Sequence, residues 1–314
     1  MRAVMYHYVL EDSAGPPFGY YHLDLADFRL QLDHFQDEFH ILDQEEFLST
    51  LRGNRAPRKD DLVLTFDDGL RCHFVEVLPE LVERNLWGMF YVSSGPYLET
   101  SVLDVHRIHA LLGKHGGEVV AGYLADLLAK RMVSTEHRNR FSDVVYADQE
   151  NPDSVYHVKR LLNFDVDVDV RHDVLDSLER RLFDAPLRPS DVYMTREEIR
   201  ELAASGMHVG AHASTHTPMS KLRRGEQEKE ITQSFGFIKD TLSELLVPSY
   251  CHPYGGPHTY TGDTLDLLEE ASCSFAFGVD SRPITETVIA DERLTLPRYD
   301  CNEFPHGEAK ASLG

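Results

Sequence analysis

The chain has 314 residues and carries 31 basic against 53 acidic side chains, a formal charge of −22. That length allows one large domain or two ordinary ones, and a hydrophobic content of 42% supplies a packed core and excludes global disorder. So acidic a surface repels phosphate backbones and anionic lipid, and no basic cluster offsets it, so nucleic acid is excluded as a partner.

The opening MRAVMYHYVLED lacks the apolar stretch of a signal peptide, and no apolar run approaches the ~20 residues of a membrane span. The four cysteines, Cys72, Cys251, Cys273 and Cys301, form no C-x-x-C pair and read as reduced thiols. These features point to a cytoplasmic protein with no membrane span.

In chain order, Val4 to Val9 reads as a short strand. Leu25, Phe28, Leu32, Phe35 and Phe39 then recur at helical spacing, and Phe47, Leu48 and Leu51 mark a second short helix. Leu62-Val-Leu-Thr-Phe66 is a run that fits a buried strand, and a helix follows through Phe74, Leu78 and Leu81. Met89–Val92 is a strand, Glu197–Ala204 a helix and His208–Ala211 a strand. Glu226–Leu246 is helical, Pro248–Cys251 extended, Thr264–Ala271 helical and Phe275–Val279 extended. Thr295–Arg298 reads as the last strand, and the tail after Asn302 shows no periodic pattern. Strands alternating with helices predict an α/β fold with a parallel sheet, open or closed into a barrel. Residues from about 101 to 192 break the rhythm. They are mostly helical and read as an insertion on a single domain spanning 1–314.

Three fragments carry chemistry. Thr65-Phe-Asp67-Asp68-Gly69 stands at the carboxyl end of the most apolar strand, where parallel α/β folds bind ligands. Gly210-Ala-His212-Ala-Ser-Thr-His216 follows another strand, and two histidines four apart can reach one metal ion. Pro253-Tyr254-Gly255-Gly256 is a turn whose glycines permit close backbone approach. Among 17 histidines such a pair also arises by chance, and paired aspartates also begin ordinary loops, so none of the three decides alone.

Taken in this order, the fragments resemble the polysaccharide deacetylase family, carbohydrate esterase family 4. Its motifs are a T-F-D-D-G strand end, an H-[ST]-x-x-H loop and an R-P-P-Y-G-like turn. Met5-Tyr-His-Tyr-Val9 and the helix beginning Met194-Thr-Arg-Glu-Glu are similar to the family too. The resemblance covers about residues 4–100 and 193–300 and implies a distorted (β/α)7-type barrel. It implies a divalent metal held by Asp68, His212 and His216, with Zn2+ first and Co2+, Ni2+ or Fe2+ as alternatives. It implies Asp67 as the general base toward the attacking water and the backbone N–H of Tyr254 as an oxyanion donor.

Two departures from the family stand out. Cys251 and His252 occupy the place of the arginine that opens the third motif, and Leu294-Thr-Leu-Pro-Arg298-Tyr-Asp300 replaces the final L-x-H. This pattern is similar to a branch associated with surface-polysaccharide and modified-sugar biosynthesis. Arg298 is nominated for the missing arginine. His7 is nominated for the missing general acid, because a closed barrel sets the first strand beside the last. His252 and His258 compete for that role.

Weaker signals have plainer readings. Asp165-x-Asp167-x-Asp169 starts like a calcium loop but has Val170 at position six and Asp176 at position twelve, so a polar face is expected. His106 and His109 share a helical face, with packing the simplest role, and Trp87 reads as core. Lys159, Arg160, Arg180 and Arg181 are candidates for a local basic rim. The function implied is removal of an N-acyl group, acetyl first, from an amino sugar or a sugar-containing glycan intermediate. The alternatives are a cyclic-amide or other C–N hydrolase, and a carbohydrate-binding relative without catalysis.

Overall fold

The computed structural model describes residues 1–11, 20–128, 152–243 and 247–310. Two compact units emerge, one from Met1–Ala14, His22–Ser101 and Pro189–Lys310, the other mainly from Val102–Arg188.

In the first unit the strands are β1 (Arg2–Tyr6), β2 (Val9–Leu10), β3 (Leu23–Asp24), β4 (His40–Ile41), β5 (Asp61–Phe66), β6 (Gly88–Val92), β7 (His208–Ala211), β8 (Ser249–Cys251), β9 (Phe275–Phe277) and β10 (Tyr299–Asp300). Its helices are α1 (Leu25–Glu38), α2 (Gln44–Leu51), α3 (Leu78–Glu83) and α4 (Gly95–Leu98), and the second unit contributes α5 (Asp104–Leu128), α6 (Asp153–Arg160) and α7 (Val168–Leu182). The first unit resumes with α8 (Arg196–Ala204), α9 (Arg224–Leu242), α10 (Gly262–Glu270) and α11 (Glu286–Asp291).

The main sheet runs β10-β1-β5-β6-β7-β8-β9, and every pairing in it is parallel. Leu296 bridges Phe277 of β9, while Tyr299 pairs with Val4 of β1, so the segment 296–300 closes the sheet into a barrel. The distorted (β/α)7-type barrel read from the sequence is the fold observed. Parallel strands joined by crossover helices are buried on both faces, and β5 accordingly buries all six of its residues, Asp61 and Thr65 included.

Tyr6, Phe66 and Phe90 occupy matched positions on β1, β5 and β6. Their rings stack with centroids 5.1 and 4.7 Å apart. Each such pair adds about 0.5–1.5 kcal/mol beyond its burial. The stack locks the end of β5 immediately before Asp67. Local capping fixes the helices around it. Asp43 and Glu46 form a reciprocal box at α2, and Thr195 and Glu198 form another at α8.

Several boundaries differ from the sequence reading. β1 ends at Tyr6, because the Tyr6 carbonyl accepts from Asp67 N–H at 3.0 Å and the His7 carbonyl accepts from His73 Nε2 at 2.7 Å. The expected strand Thr295–Arg298 is instead a connecting segment, with β10 at Tyr299–Asp300. The helix expected through Phe74 begins as a π-turn over His73–Val77 before α3. Helix α9 stops at Leu242, with Ser243 left-handed, and Leu246 lies outside the described residues. Helix α11 has too short an apolar pattern to be anticipated. The tail is tied down at Lys310, whose backbone exchanges hydrogen bonds with His22 at 2.9 and 2.7 Å.

The second unit packs α5 against α6 and α7 through side chains such as Leu111, Val120, Val158 and Leu178. Its α5 is interrupted at Gly116, whose φ of 74° and ψ of 159° suit glycine. His106 is buried, and His109 stacks on Tyr20 with centroids 4.0 Å apart. Lys159 is buried rather than a surface rim residue, and that burial lowers its pKa to about 8. Asp165 is buried and Asp167 precedes α7, so they do not form one loop face; the Asp169 side chain lies outside the described residues. No helix among the described residues is long and apolar enough to cross a membrane.

Candidate active site

All seven residues singled out by sequence lie in the first unit, six at the carboxyl ends of its strands or in the loops that follow and Arg298 in the segment leading into β10. After β5 the chain turns sharply through Asp68 and Gly69, left-handed at φ 78° and 66°. A Cβ on Gly69 would meet Val92 Cγ1 at 2.9 Å, so glycine is required there for packing as well as for conformation. The turn is then pinned by the strand-like segment ahead of α8, through Arg71 N–H to Val192 O at 2.8 Å and Met194 N–H to Gly69 O at 3.1 Å.

That turn aims Asp68 at the loop after β7. Asp68 Oδ1 lies 3.3 Å from His212 Nε2 and 3.3 Å from His216 Nε2. The three residues are 4, 1 and 6% exposed, so the cluster is withdrawn from water. His212 Nδ1 lies 2.8 Å from the Cys251 carbonyl, which makes Nδ1 the donor and leaves the Nε2 lone pair facing Asp68. Burial disfavours a charged His212, but Cys251, Asp68 and Asp67 outweigh it and draw its pKa well above the ordinary value. The Asp68 carboxylate, facing two imidazole nitrogens, is the anionic donor of the pocket.

Bonds of about 2.0–2.2 Å to a tetrahedral ion put neighbouring ligand atoms about 3.3–3.6 Å apart. Both N···O spacings of 3.3 Å match that range, and the three ligand atoms lie within 4.8 Å of one another, so the set could hold a divalent ion. A second grouping, Asp67, His212 and Cys251, is also close enough. There, however, Arg298 Nη2 lies 3.0 Å from the Cys251 sulfur and 2.7 Å from Asp67 Oδ2, so a guanidinium already supplies the positive charge.

Asp67 is held by that same guanidinium in a two-pronged pair, Nη1 to Oδ1 at 2.8 Å and Nη2 to Oδ2 at 2.7 Å. Arg298 also donates to Thr65 Oγ1 and to the Gly278 carbonyl, both at 3.0 Å. Burial alone would raise the Asp67 carboxyl, but the charge and hydrogen bonds of Arg298, with smaller help from His212 and His7, hold it down at about 2. Burial pushes the Cys251 thiol up, so it stays protonated and donates toward Asp67 Oδ2 at 3.4 Å.

Tyr254 sits in a left-handed turn at φ 63°, with its ring against His216 at a centroid distance of 4.9 Å. Gly255 follows at φ 70°, and its carbonyl accepts from Val279 N–H at 2.8 Å. His7 is half-buried just past β1. The competing His252 is buried, with Nε2 2.8 Å from the Leu294 carbonyl and its ring on Tyr260; burial lowers its pKa to about 4. It is a neutral core side chain rather than a substrate contact. A cavity of about 740 Å3 lined by Arg52, Arg55, Glu269 and Glu292 lies among the segments entering β5 and β10 and holds none of these groups.

Sequence reasoning missed Thr65, Cys251 and Glu230 as partners of the site. Glu230 carried a usable signal, since it shares the buried face of α9 with Gln227, Ile231, Ser234 and Ile238. A carboxylate on such a face implies a polar partner opposite.

A family model described as polysaccharide deacetylase matches residues 162–276, a stretch that includes His212, His216 and Tyr254 and begins after Asp67–Asp68. No curated protein sequence matches the chain. Among solved structures, the Streptococcus pyogenes deacetylase PplD, in complex with acetate, is 14% identical with a TM-score of 0.56 over 96% of this chain and 91% of that one. The deacetylase domain of BpsB from Bordetella bronchiseptica is 13% identical with a TM-score of 0.56 over 96 and 95%. IcaB from Ammonifex degensii is 17% identical with a TM-score of 0.52 over 95 and 89%. At such identities these likenesses speak to the fold.

Part of the chain thus matches the polysaccharide deacetylase model, and almost the whole of it shares the fold of solved deacetylases. The stretch that the family model matches carries two of the three motifs that resemble the polysaccharide deacetylases.

Proposed function

We propose that the chain is a metal-dependent N-deacetylase that removes an acyl group, acetyl first, from an amino sugar in surface-polysaccharide or modified-sugar biosynthesis. Its substrate is an N-acylated amino sugar or a glycan intermediate that contains one. Asp68, His212 and His216 are the residues that would hold the ion, and two imidazoles with one carboxylate suit Zn2+, or Co2+, Ni2+ and Fe2+. Such an ion supplies Lewis acidity to the amide carbonyl and acidity to water.

Asp67 takes the proton of the attacking water, and Arg298 keeps its carboxylate ionised and aimed. The N–H of Tyr254 donates to the oxygen on which negative charge develops. His7 then protonates the departing nitrogen, because an amide anion is too basic to leave unprotonated.

The observation that carries this reading is the 3.3 Å approach of both imidazoles to Asp68, with an ionised Asp67 one residue away. It is tested by measuring liberated acetate across nucleotide sugars and oligosaccharides with each of the four ions added. Release from an amino sugar that depends on the ion supports the reading. Release only from a cyclic amide, or sugar binding without release under every ion, would replace it.

A further inference from the structure

The loop that carries both histidines is held in a conformation it would not adopt alone. Ala213 and His216 are left-handed at φ 55° and 58°, and neither is a glycine. Its carbonyls have partners on the segment after β6. Ser93 Oγ donates to His212 O at 2.7 Å, Ser94 N–H to Ala213 O at 3.1 Å and Gly95 N–H to Ser214 O at 2.8 Å.

Its N–H groups instead converge on one side chain. Ser214 N–H and Thr215 N–H both donate to Glu230 Oε2 at 2.8 Å, and the Thr215 hydroxyl donates to Oε1 at 2.9 Å. Successive N–H groups after a left-handed residue form a concavity for an anion. Glu230, buried on α9, is that anion, tethered by its own helix.

We propose that Glu230 is the positioning residue of the metal-binding loop, fixing the spacing between His212 and His216. This rests on the reading of Asp68, His212 and His216 as the ligands. Glu230 touches neither the ion nor the reacting atoms. It acts by satisfying the two N–H groups midway between the histidines, so that neither imidazole can swing away without breaking a charged hydrogen bond. Partners of this kind, one step out from the ligands, are worth about 10–100-fold in metal affinity.

The test titrates Zn2+ calorimetrically into the metal-stripped full chain as wild type, Glu230→Gln and Glu230→Asp, with thermal unfolding of each. Glutamine keeps a carbonyl oxygen at the same reach, so its dissociation constant should stay within about threefold of wild type. Aspartate keeps the charge but falls short by one methylene, so its constant should rise about 10–100-fold. Activity should return toward wild type at saturating zinc. Wild-type affinity in the aspartate variant overturns the proposal, and so does a variant that no longer unfolds cooperatively, since Glu230 would then support the fold at large. If wild type itself takes up no zinc, the ligand assignment fails instead.

Discussion

Replacing Arg298 by methionine removes the guanidinium from Asp67 while filling much of its volume. The two side chains are 1 and 2% exposed, so water cannot take over the hydrogen bonds at 2.8 and 2.7 Å. Breaking a buried pair by removing one partner costs about 3–5 kcal/mol, because the surviving charge is stranded. For a unit of this size that corresponds to a fall of roughly 6–20 °C in Tm. The wild-type carboxyl, at about 2, lies below the ~3.9 of an unfolded chain, so the pair's contribution is present above about pH 4 and lost as pH falls toward 2. In the variant, burial acts unopposed and raises the carboxyl above its unfolded value. The penalty is then largest near neutral pH and shrinks as pH falls through that raised pKa. Thermal unfolding across pH measures both trends, and Asp67→Asn in the same background should recover part of the loss by removing the stranded charge. A single-variant loss under about 1 kcal/mol, or additivity of the two substitutions within about 0.5 kcal/mol, would refute the reasoning.

His212→Ala and His216→Ala should each abolish bound divalent ion together with acetate release, and full occupancy by elemental analysis in either variant would contradict the ligand assignment. Asp67→Asn should retain the ion and lose turnover by roughly 10²–10⁴-fold, and a loss below about tenfold at saturating metal would mean another group takes the proton. His7→Ala should slow amide substrates by orders of magnitude while sparing an activated ester, whose leaving group needs no proton; equal slowing of both would remove His7 from the acid role.

Much of the barrel is legible in the sequence because its strands are buried on both faces. Leu62–Phe66 and Met89–Val92 carry no charged residue, and the switch to Asp67-Asp68-Gly69 marks the strand end sharply. β10 escaped because two residues carry no periodicity, and it is defined by pairing with Val4 and Met5 almost 300 positions away in the chain. The position of Arg298 on Asp67 likewise depends on contacts across 231 residues. It could be nominated only because the third motif lacks its arginine. Glu230 was legible only in part: helical spacing gives the buried face it occupies, but not the backbone opposite it.

The place of Arg298 in the barrel has a consequence for the order in which the site matures. Leu296 attaches to β9 and Tyr299 to β1, so Arg298 rides on the stave that joins the two ends of the sheet. A chain synthesised through β9 already contains Asp67, Asp68, His212, His216 and Tyr254. Its Asp67 nevertheless lacks the guanidinium until the closing stave docks. Pairing of Asp67 with its guanidinium thus comes last along the chain, and it doubles as a report that the barrel has shut.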